Sequence, residues 1–340
     1  MVPETGLALV ARSLLSRLTR TSIPTLLNPK MTDPAIGLNA AKTEFRKLVP
    51  ASTVIVAYLI VIAILTLIFN NRVTLWGLIC FLHVCVIVGI FLLARARSRI
   101  NASRFVLIMN DWYPVMLIPL TYKELEYLIP RIHPHDYDKA LAAIDHNLFG
   151  VNPTVWLERF AHPALTELLQ LAYPSYYFLP VVLGLLLWRA RRYQAFDFFV
   201  FILAVGFYLS YLGYIIVPAV GPRFLLADLQ TKPLSGLLFF SAIRRALDNA
   251  EGITRDCFPS GHTELTMLVL YYARRFRLKA FWIMLPIGIA IIVATVYLRY
   301  HYVIDVAAGA LLALGVIALA KPMYRWLGGR FEFVADGTEL

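Results

Sequence analysis

Two stretches leave this chain little choice of fold: Pro50–Phe69 and Val73–Ala94 run for 20 and 22 residues without one charged side chain. About 20 apolar residues make a helix long enough to cross the hydrocarbon core of a bilayer. In lipid only a helix or a closed barrel satisfies its own backbone. Phe196–Val217, Ala280–Leu298 and Tyr302–Ala320 are of the same kind. Ala164–Leu187 carries Glu167, Gln170, Pro174 and Pro180, which predict a kinked helix facing inward. Phe258–Phe276 holds His262 and Glu264, costly in lipid and so turned toward protein. Phe105–Thr121 is the weakest run, with Asn110, Asp111 and two prolines. The expectation is an all-α polytopic bundle of about eight membrane helices, with a core of five or six.

The basic residues test that count. Residues 1–48 hold seven Lys/Arg against three acids, Arg95–Arg104 four Arg and no acid, Arg189–Arg192 three Arg, and Arg274–Lys279 three Arg and one Lys. Between them, residues 122–163 hold four basic and six acidic residues. Every second connection is basic, as the positive-inside rule demands when both termini are cytoplasmic. The reading divides the chain into a basic N-terminal segment (1–48), peripheral helices (49–121), an outer interfacial segment (122–163), a catalytic core (164–320) and a cytoplasmic tail (321–340). Within the first segment, Ala11–Leu27 is basic and periodically apolar, the pattern of a helix on the inner membrane surface or of a basic tail. The net charge of +11 lies in these orienting clusters, which argues against nucleic-acid binding. Cys80, Cys85 and Cys257 form no disulfide framework.

Two segments carry chemistry: Cys257-Phe-Pro-Ser-Gly-His262-Thr and Tyr297-Leu-Arg-Tyr-His301-Tyr-Val-Ile-Asp305. Ser260 and Gly261 precede an apolar helix, so backbone N–H groups and the helix dipole there suit a phosphate. His301 and Asp305 are four apart, predicting one helical face on which the carboxylate orients a nucleophilic imidazole. From His262 to His301 the chain crosses in and back, so both histidines reach the same outer depth.

These segments resemble the signature of the type 2 phosphatidic acid phosphatase superfamily, which includes lipid phosphatases, lipid phosphotransferases and vanadium haloperoxidases. The resemblance covers roughly residues 110–320. It implies that His301 attacks phosphorus, that Asp305 supports it, and that His262 protonates the leaving group and later deprotonates the acceptor. It implies no metal and no cofactor. The phosphatase branch has a Lys seven residues before an Arg-Pro pair; here Arg223 follows Gly221-Pro222, precedes Phe224, and has Ile216 seven positions earlier. A Ser-Arg pair of that branch is Ala294-Thr295 here. Arg223 and Arg299 are then the phosphate-binding cations, with Arg255, Lys232, Arg244 and Arg245 as further candidates. Together with Asp138–Pro153, the pattern is closer to the inositol phosphorylceramide synthase branch.

The reading is a membrane lipid phosphotransferase acting at the extracytoplasmic leaflet through a phosphohistidine. Its partners are a lipid phosphate donor and a lipid alcohol, polyol or water as acceptor. A lipid phosphate phosphatase and a non-enzymatic lipid transporter are the alternatives. His133, His135, Asp136 and Asp138 form a polar cluster without helical ligand spacing, read as an interfacial loop. Tyr173, Tyr176, Tyr177 and Phe178 read as interfacial packing, and Gly221–Arg255 as a lid with an apolar stretch at Leu234–Phe240. Glu264 either lines the substrate cavity or makes a buried hydrogen bond.

Overall fold

A computed structural model describes residues 48–99, 102–252 and 255–332. The Ala11–Leu27 segment lies outside them. Among the described residues the regular structure is entirely helical. In chain order the helices are α1 (Pro50–Ile68), α2 (Trp76–Arg97), α3 (Arg104–Ile132), α4 (Asp138–Phe149), α5 (Pro153–Trp156), α6 (Pro163–Ala172) and α7 (Ser175–Arg189). There follow α8 (Tyr193–Ile216), α9 (Pro222–Leu225), α10 (Phe240–Glu251), α11 (Gly261–Arg275), α12 (Phe281–Tyr297) and α13 (Val303–Trp326).

Five segments are long and apolar enough to cross a membrane: α1, α2, α6 with α7, α8 and α13. The shorter α12 is equally apolar. The chain is a membrane protein on that ground. The run Phe105–Thr121 is the first part of the longer, more polar α3, and Phe258–Phe276 contains α11, whose first residue is Gly261. Three of the eight runs are therefore outside these five spans: α3, which is long but polar, α11, which is short and polar, and α12, which is apolar but 17 residues long.

Helix α8 is the axis of the bundle. Sixteen of its residues are buried, on every side, because both neighbouring layers pack against it. On one flank it meets α1 and α3, with Ile55, Tyr58, Leu59, Leu125, Tyr208 and Tyr211 in one apolar cluster. On the other it meets α7, α11 and α13 through Phe198, Phe199, Leu265, Leu268, Ala313 and Val316. Helix α2 packs chiefly on α1 and α3, and most of its large apolar side chains are exposed, as a lipid-facing helix requires.

Helices α11 and α13 approach closely. A Cβ on Gly309 would fall on the Ser260 carbonyl, so only a residue without a side chain lets these helices meet. This contact brings the starts of α11 and α13, and with them the two histidine segments, to one end of the bundle.

Candidate active site

Helix α11 begins at Gly261 because Ser260 caps it: the Ser260 hydroxyl accepts from the Thr263 N–H at 3.3 Å. The Ser260 N–H donates to the Asp305 carbonyl at 3.0 Å. Ser260 is therefore a helix cap and a stitch to α13, and its N–H is not available to a phosphate as the sequence reading had it. Gly261 packs against Tyr214, whose hydroxyl lies where a Cβ would be.

His301 precedes α13, whose N-cap is Tyr302, so His301 and Asp305 do not share a helical face. They meet across the helix start, with His301 Nδ1 3.5 Å from Asp305 Oδ2. The nearer partner of Nδ1 is the Cys257 carbonyl oxygen at 2.7 Å. A carbonyl can only accept, so Nδ1 carries the proton and the lone pair lies on Nε2. Asp305 is fully buried; its Oδ2 accepts from the Tyr302 N–H at 2.8 Å and the Cys257 thiol at 2.9 Å. Burial, and then the neighbouring Asp305, push the Cys257 thiol well above its ordinary value, so it stays a donor. Asp305 Oδ1 has no hydrogen-bond partner among the described residues, which leaves negative potential beside the imidazole.

The His262 ring lies 5.6 Å from the His301 ring, centroid to centroid. Tyr173 stacks on it at 4.4 Å, Tyr176 covers it at 4.2 Å, and Tyr300 stacks on Tyr173 at 4.5 Å. His262 Nε2 is buried without a hydrogen-bond partner among the described residues. Of the four aromatic residues expected in interfacial packing, Tyr173 and Tyr176 thus hold His262 in place, while Tyr177 and Phe178 are exposed. The run Tyr173-Pro-Ser-Tyr-Tyr, at the junction of α6 and α7, was the only signal for it.

Arg223 reaches the same end of the bundle. Its N–H donates to the Arg299 carbonyl at 3.1 Å, and its guanidinium lies over the Tyr300 ring at 5.2 Å. It pairs with Asp248 at 2.8 Å, a half-exposed carboxylate that an incoming dianion can replace. Arg299 has a different occupation from the one expected. It sits after α12 with φ 69°, and its guanidinium, 8% exposed, donates to Glu158 (2.9 Å), Gln230 (3.1 Å) and the Lys232 carbonyl (2.5 Å). Burial lowers its pKa and Glu158 opposes that; the pair leaves little net charge for a phosphate. Arg255 is held by Asp136 at 2.6 Å and Arg244 lies over Phe240.

Four carboxylates missed as functional in the sequence hold the loops of the site. Asp138 accepts from the N–H groups of Val220 (2.8 Å) and Gly221 (2.7 Å) and from the Tyr302 hydroxyl (3.0 Å). Gly221 has φ 96°, and a Cβ there would strike the Tyr300 carbonyl. Two turns further along the same face of α4, Asp145 accepts from Val303 (2.7 Å) and Ile304 (2.9 Å) at the start of α13. Burial raises the Asp145 pKa and these two bonds oppose the rise. Glu158 accepts from Thr231 and Lys232, and Glu167 from the four N–H groups of residues 237–240, the start of α10. The spacing of Asp138 and Asp145 by two helical turns was the only hint.

Three other groups of residues singled out in the sequence also have defined surroundings. The polar cluster near His133 does not converge: Asp136 pairs with Arg255, Asp138 caps the 220–221 turn, and His133 Nδ1 bonds the His135 carbonyl at 3.1 Å. The one group among the described residues with metal-ligand proximity is Cys257, His301 and Asp305, within 4.8 Å of one another. A cation there would have to displace the proton that holds His301 to the Cys257 carbonyl. The lid stretch turns outward, with Leu237, Leu238 and Phe239 exposed at 63%, 80% and 55%, while Phe240 packs on Leu169, Tyr173 and Tyr297. Glu264 is fully buried and accepts from the Ser210 hydroxyl; it faces α8 rather than the cavity beside His262.

Two comparisons bear on this geometry. A PA-phosphatase related-family protein of Dictyostelium discoideum is 28% identical over 163 residues, 42% of this chain. The match spans 30% of that relative's length. No solved structure matches. The family model of the PAP2 superfamily, the type 2 phosphatidic acid phosphatases, matches residues 139–319, which hold both histidine segments, Arg223 and all four carboxylates except the first residue of α4. With more than half of its length matched, and the matched half being the part that builds this site, the chain belongs to the PAP2 superfamily.

Proposed function

We propose that the chain is a lipid phosphotransferase that passes a phosphoryl-containing headgroup through a phosphohistidine on His301. The observation that carries the reading is the fixed pair of imidazoles: His301 tethered through Nδ1, with His262 facing it at 5.6 Å. His301 Nε2 attacks phosphorus, the bond from phosphorus to the lipid alcohol oxygen breaks, and His262 gives its proton to that oxygen. The charge that develops on His301 is met by Asp305. In the second step His262 takes the proton of an incoming hydroxyl, its oxygen bonds phosphorus, and the P–N bond breaks. Arg223 neutralises the phosphoryl oxygens; in such transfers positioning and charge carry most of the rate. Arg299 acts by holding the 230–232 turn, with Gly261 and His262 N–H groups at the helix start as the remaining phosphate donors.

Transfer is preferred over hydrolysis because His262, unlike His301, lines an apolar cavity, where water is scarce and an amphiphilic alcohol is not. The reading keeps eight crossings, with α3, α11 and α12 completing the five long spans, both termini cytoplasmic and the site extracytoplasmic. It also keeps a likeness to the inositol phosphorylceramide synthase branch, where a polyol is the acceptor. The test is the product ratio: with a lipid phosphate donor and either a polyol or a lipid alcohol present, transfer product should exceed free phosphate. Mainly free phosphate with every such acceptor makes the protein a phosphatase.

Two further measurements bear on the same reading. Vanadate, which mimics pentacoordinate phosphorus, should inhibit while EDTA does not. Loss of activity on chelation, restored by Mg²⁺ or Zn²⁺, would contradict a metal-independent reaction. For sidedness, Asn249→Cys in a background without other cysteines should react with a membrane-impermeant thiol reagent in intact cells. Gln194→Cys should react only after permeabilisation, and the reverse pattern turns the site to the cytoplasm.

A further inference from the structure

A cavity of about 280 Å³ lies between α3, α7 and α8, and nothing in the phosphoryl chemistry uses it. Its walls are apolar: Val115, Ile118 and Pro119 from α3, Pro180 and Val181 from α7, Phe199 and Leu203 from α8. Polar groups gather at one end only, where His262, Asp256, Tyr122 and Tyr214 line it. There Tyr122 donates to Asp256 at 2.5 Å, which ties α3 to the segment leading into the His262 helix. The opposite end is closed by Trp112, Phe196 and Gly184. Trp112 meets Trp188 edge-on at 6.2 Å, and Trp188 donates to Asp111 at 3.2 Å, so α3 and α7 are joined at this floor. From Tyr122 to Trp112 along α3 is about 15 Å. Tyr177 and Val181 are exposed as well as lining, so the side of the cavity faces lipid.

An amphiphile with its polar end at His262 and its chain toward Trp112 matches this distribution. The cavity touches His262 and neither His301 nor Arg223. In the proposed reaction His262 serves the oxygen of the alcohol, while phosphorus sits toward His301. What extends from that oxygen therefore enters the cavity. A volume of this size over this length is narrow enough for one hydrocarbon chain and too narrow for two abreast. Helix α3 lies outside the residues that match the family, so this wall is an addition to the shared catalytic core.

We propose, on the footing of His262 as the proton donor to the leaving alcohol, that this cavity holds the single hydrocarbon chain of an amphiphilic alcohol, with Trp112 and Gly184 as the residues that set its length. A lipid alcohol acceptor uses it after the donor alcohol has left, since each must present its oxygen to the same imidazole; a polyol acceptor would reach His262 without entering it.

The test is a series of n-alkyl monophosphates of rising chain length, with p-nitrophenyl phosphate as a substrate without a chain. For the wild type, kcat/KM should rise about fourfold for each methylene that enters the cavity and then level off at the floor. Gly184→Leu places a side chain against Phe196 and Trp112 and should bring the plateau to shorter chains. Trp112→Ala should move it to longer ones. Leu82→Trp, on the exposed face of α2, should leave the profile as it is. A profile unchanged by both Gly184→Leu and Trp112→Ala, or no dependence on chain length while p-nitrophenyl phosphate is turned over, overturns the proposal. If no phosphate ester is turned over at all, the phosphotransfer reading falls, and the cavity is then judged by labelling alone. An alkyl phosphate with a photoreactive group at its far end, applied to the inactive His301→Ala protein, should label residues 112–119, 180–184 or 196–203. Labels confined to the lipid-facing residues of α2 overturn it.

Discussion

Replacing His301 by alanine is expected to abolish turnover, by about 10⁶-fold, while the protein still inserts and folds. Losses of that size follow removal of a nucleophile from groups that act as a unit. The size rests on geometry as well as on residue type. Nδ1 is tethered to a backbone carbonyl, so the lone pair on Nε2 has one direction, and no neighbouring side chain among the described residues duplicates it. Folding should survive because the tether belongs to a loop already held by the Cys257 N–H to the Ala219 carbonyl (3.1 Å) and by Asp145 at the start of α13. The check is single-turnover phosphate release alongside retention of a monodisperse peak in detergent. More than about a tenth of wild-type activity in the alanine variant ends the phosphohistidine scheme.

The second large effect concerns His262 and depends on the leaving group. For an alkyl phosphate, whose alkoxide must be protonated as it departs, His262→Ala should cost on the order of 10³-fold, within the range of general acid catalysis. For p-nitrophenyl phosphate, which expels a stable anion, the first step needs no such proton and the loss should shrink to that of the second step. The enzyme should then accumulate a base-stable, acid-labile phosphoryl label in the His262→Ala protein and none in His301→Ala. Equal losses on both substrates, with no label, would mean that His262 only shapes the site between Tyr173 and Tyr176.

Parts of this site were legible because they are local. Pro259-Ser260-Gly261-His262 ahead of an apolar run announces a capped helix, and α11 starts where that pattern says. His301 and Asp305 were legible as partners, but their spacing was read as one helical face. The N-cap falls between them, at Tyr302, and periodicity does not locate a helix start to within a residue or two. Arg299 shows a limit of another kind. Its charge is spent on Glu158, 141 positions away, and no local pattern encodes that pairing. Tyr173 and Tyr176 look like the aromatic residues of any membrane interface until the fold sets His262 between them. The membrane class followed from composition alone, whereas the count of crossings depends on α3 and α11, which are polar because they carry or border the site.

The contact at Gly309 bears on how this protein tolerates its solvent. Helices in a bilayer tilt to match its thickness, at a cost of fractions of a kcal/mol per Å of mismatch. Here the two histidine segments are joined main chain to main chain, directly from Ser260 to Asp305 and through the 219–223 loop by Cys257 to Ala219 and Arg223 to Arg299. Such bonds do not stretch by the ångström that separates a productive alignment from an idle one. A thicker or thinner membrane is therefore expected to lean α11 and α13 as one body, with the adjustment taken up in α1 and α2, which among the described residues share no bond of this kind with the histidine segments. The geometry between His262 and His301 should in this way be insulated from the lipid composition around it.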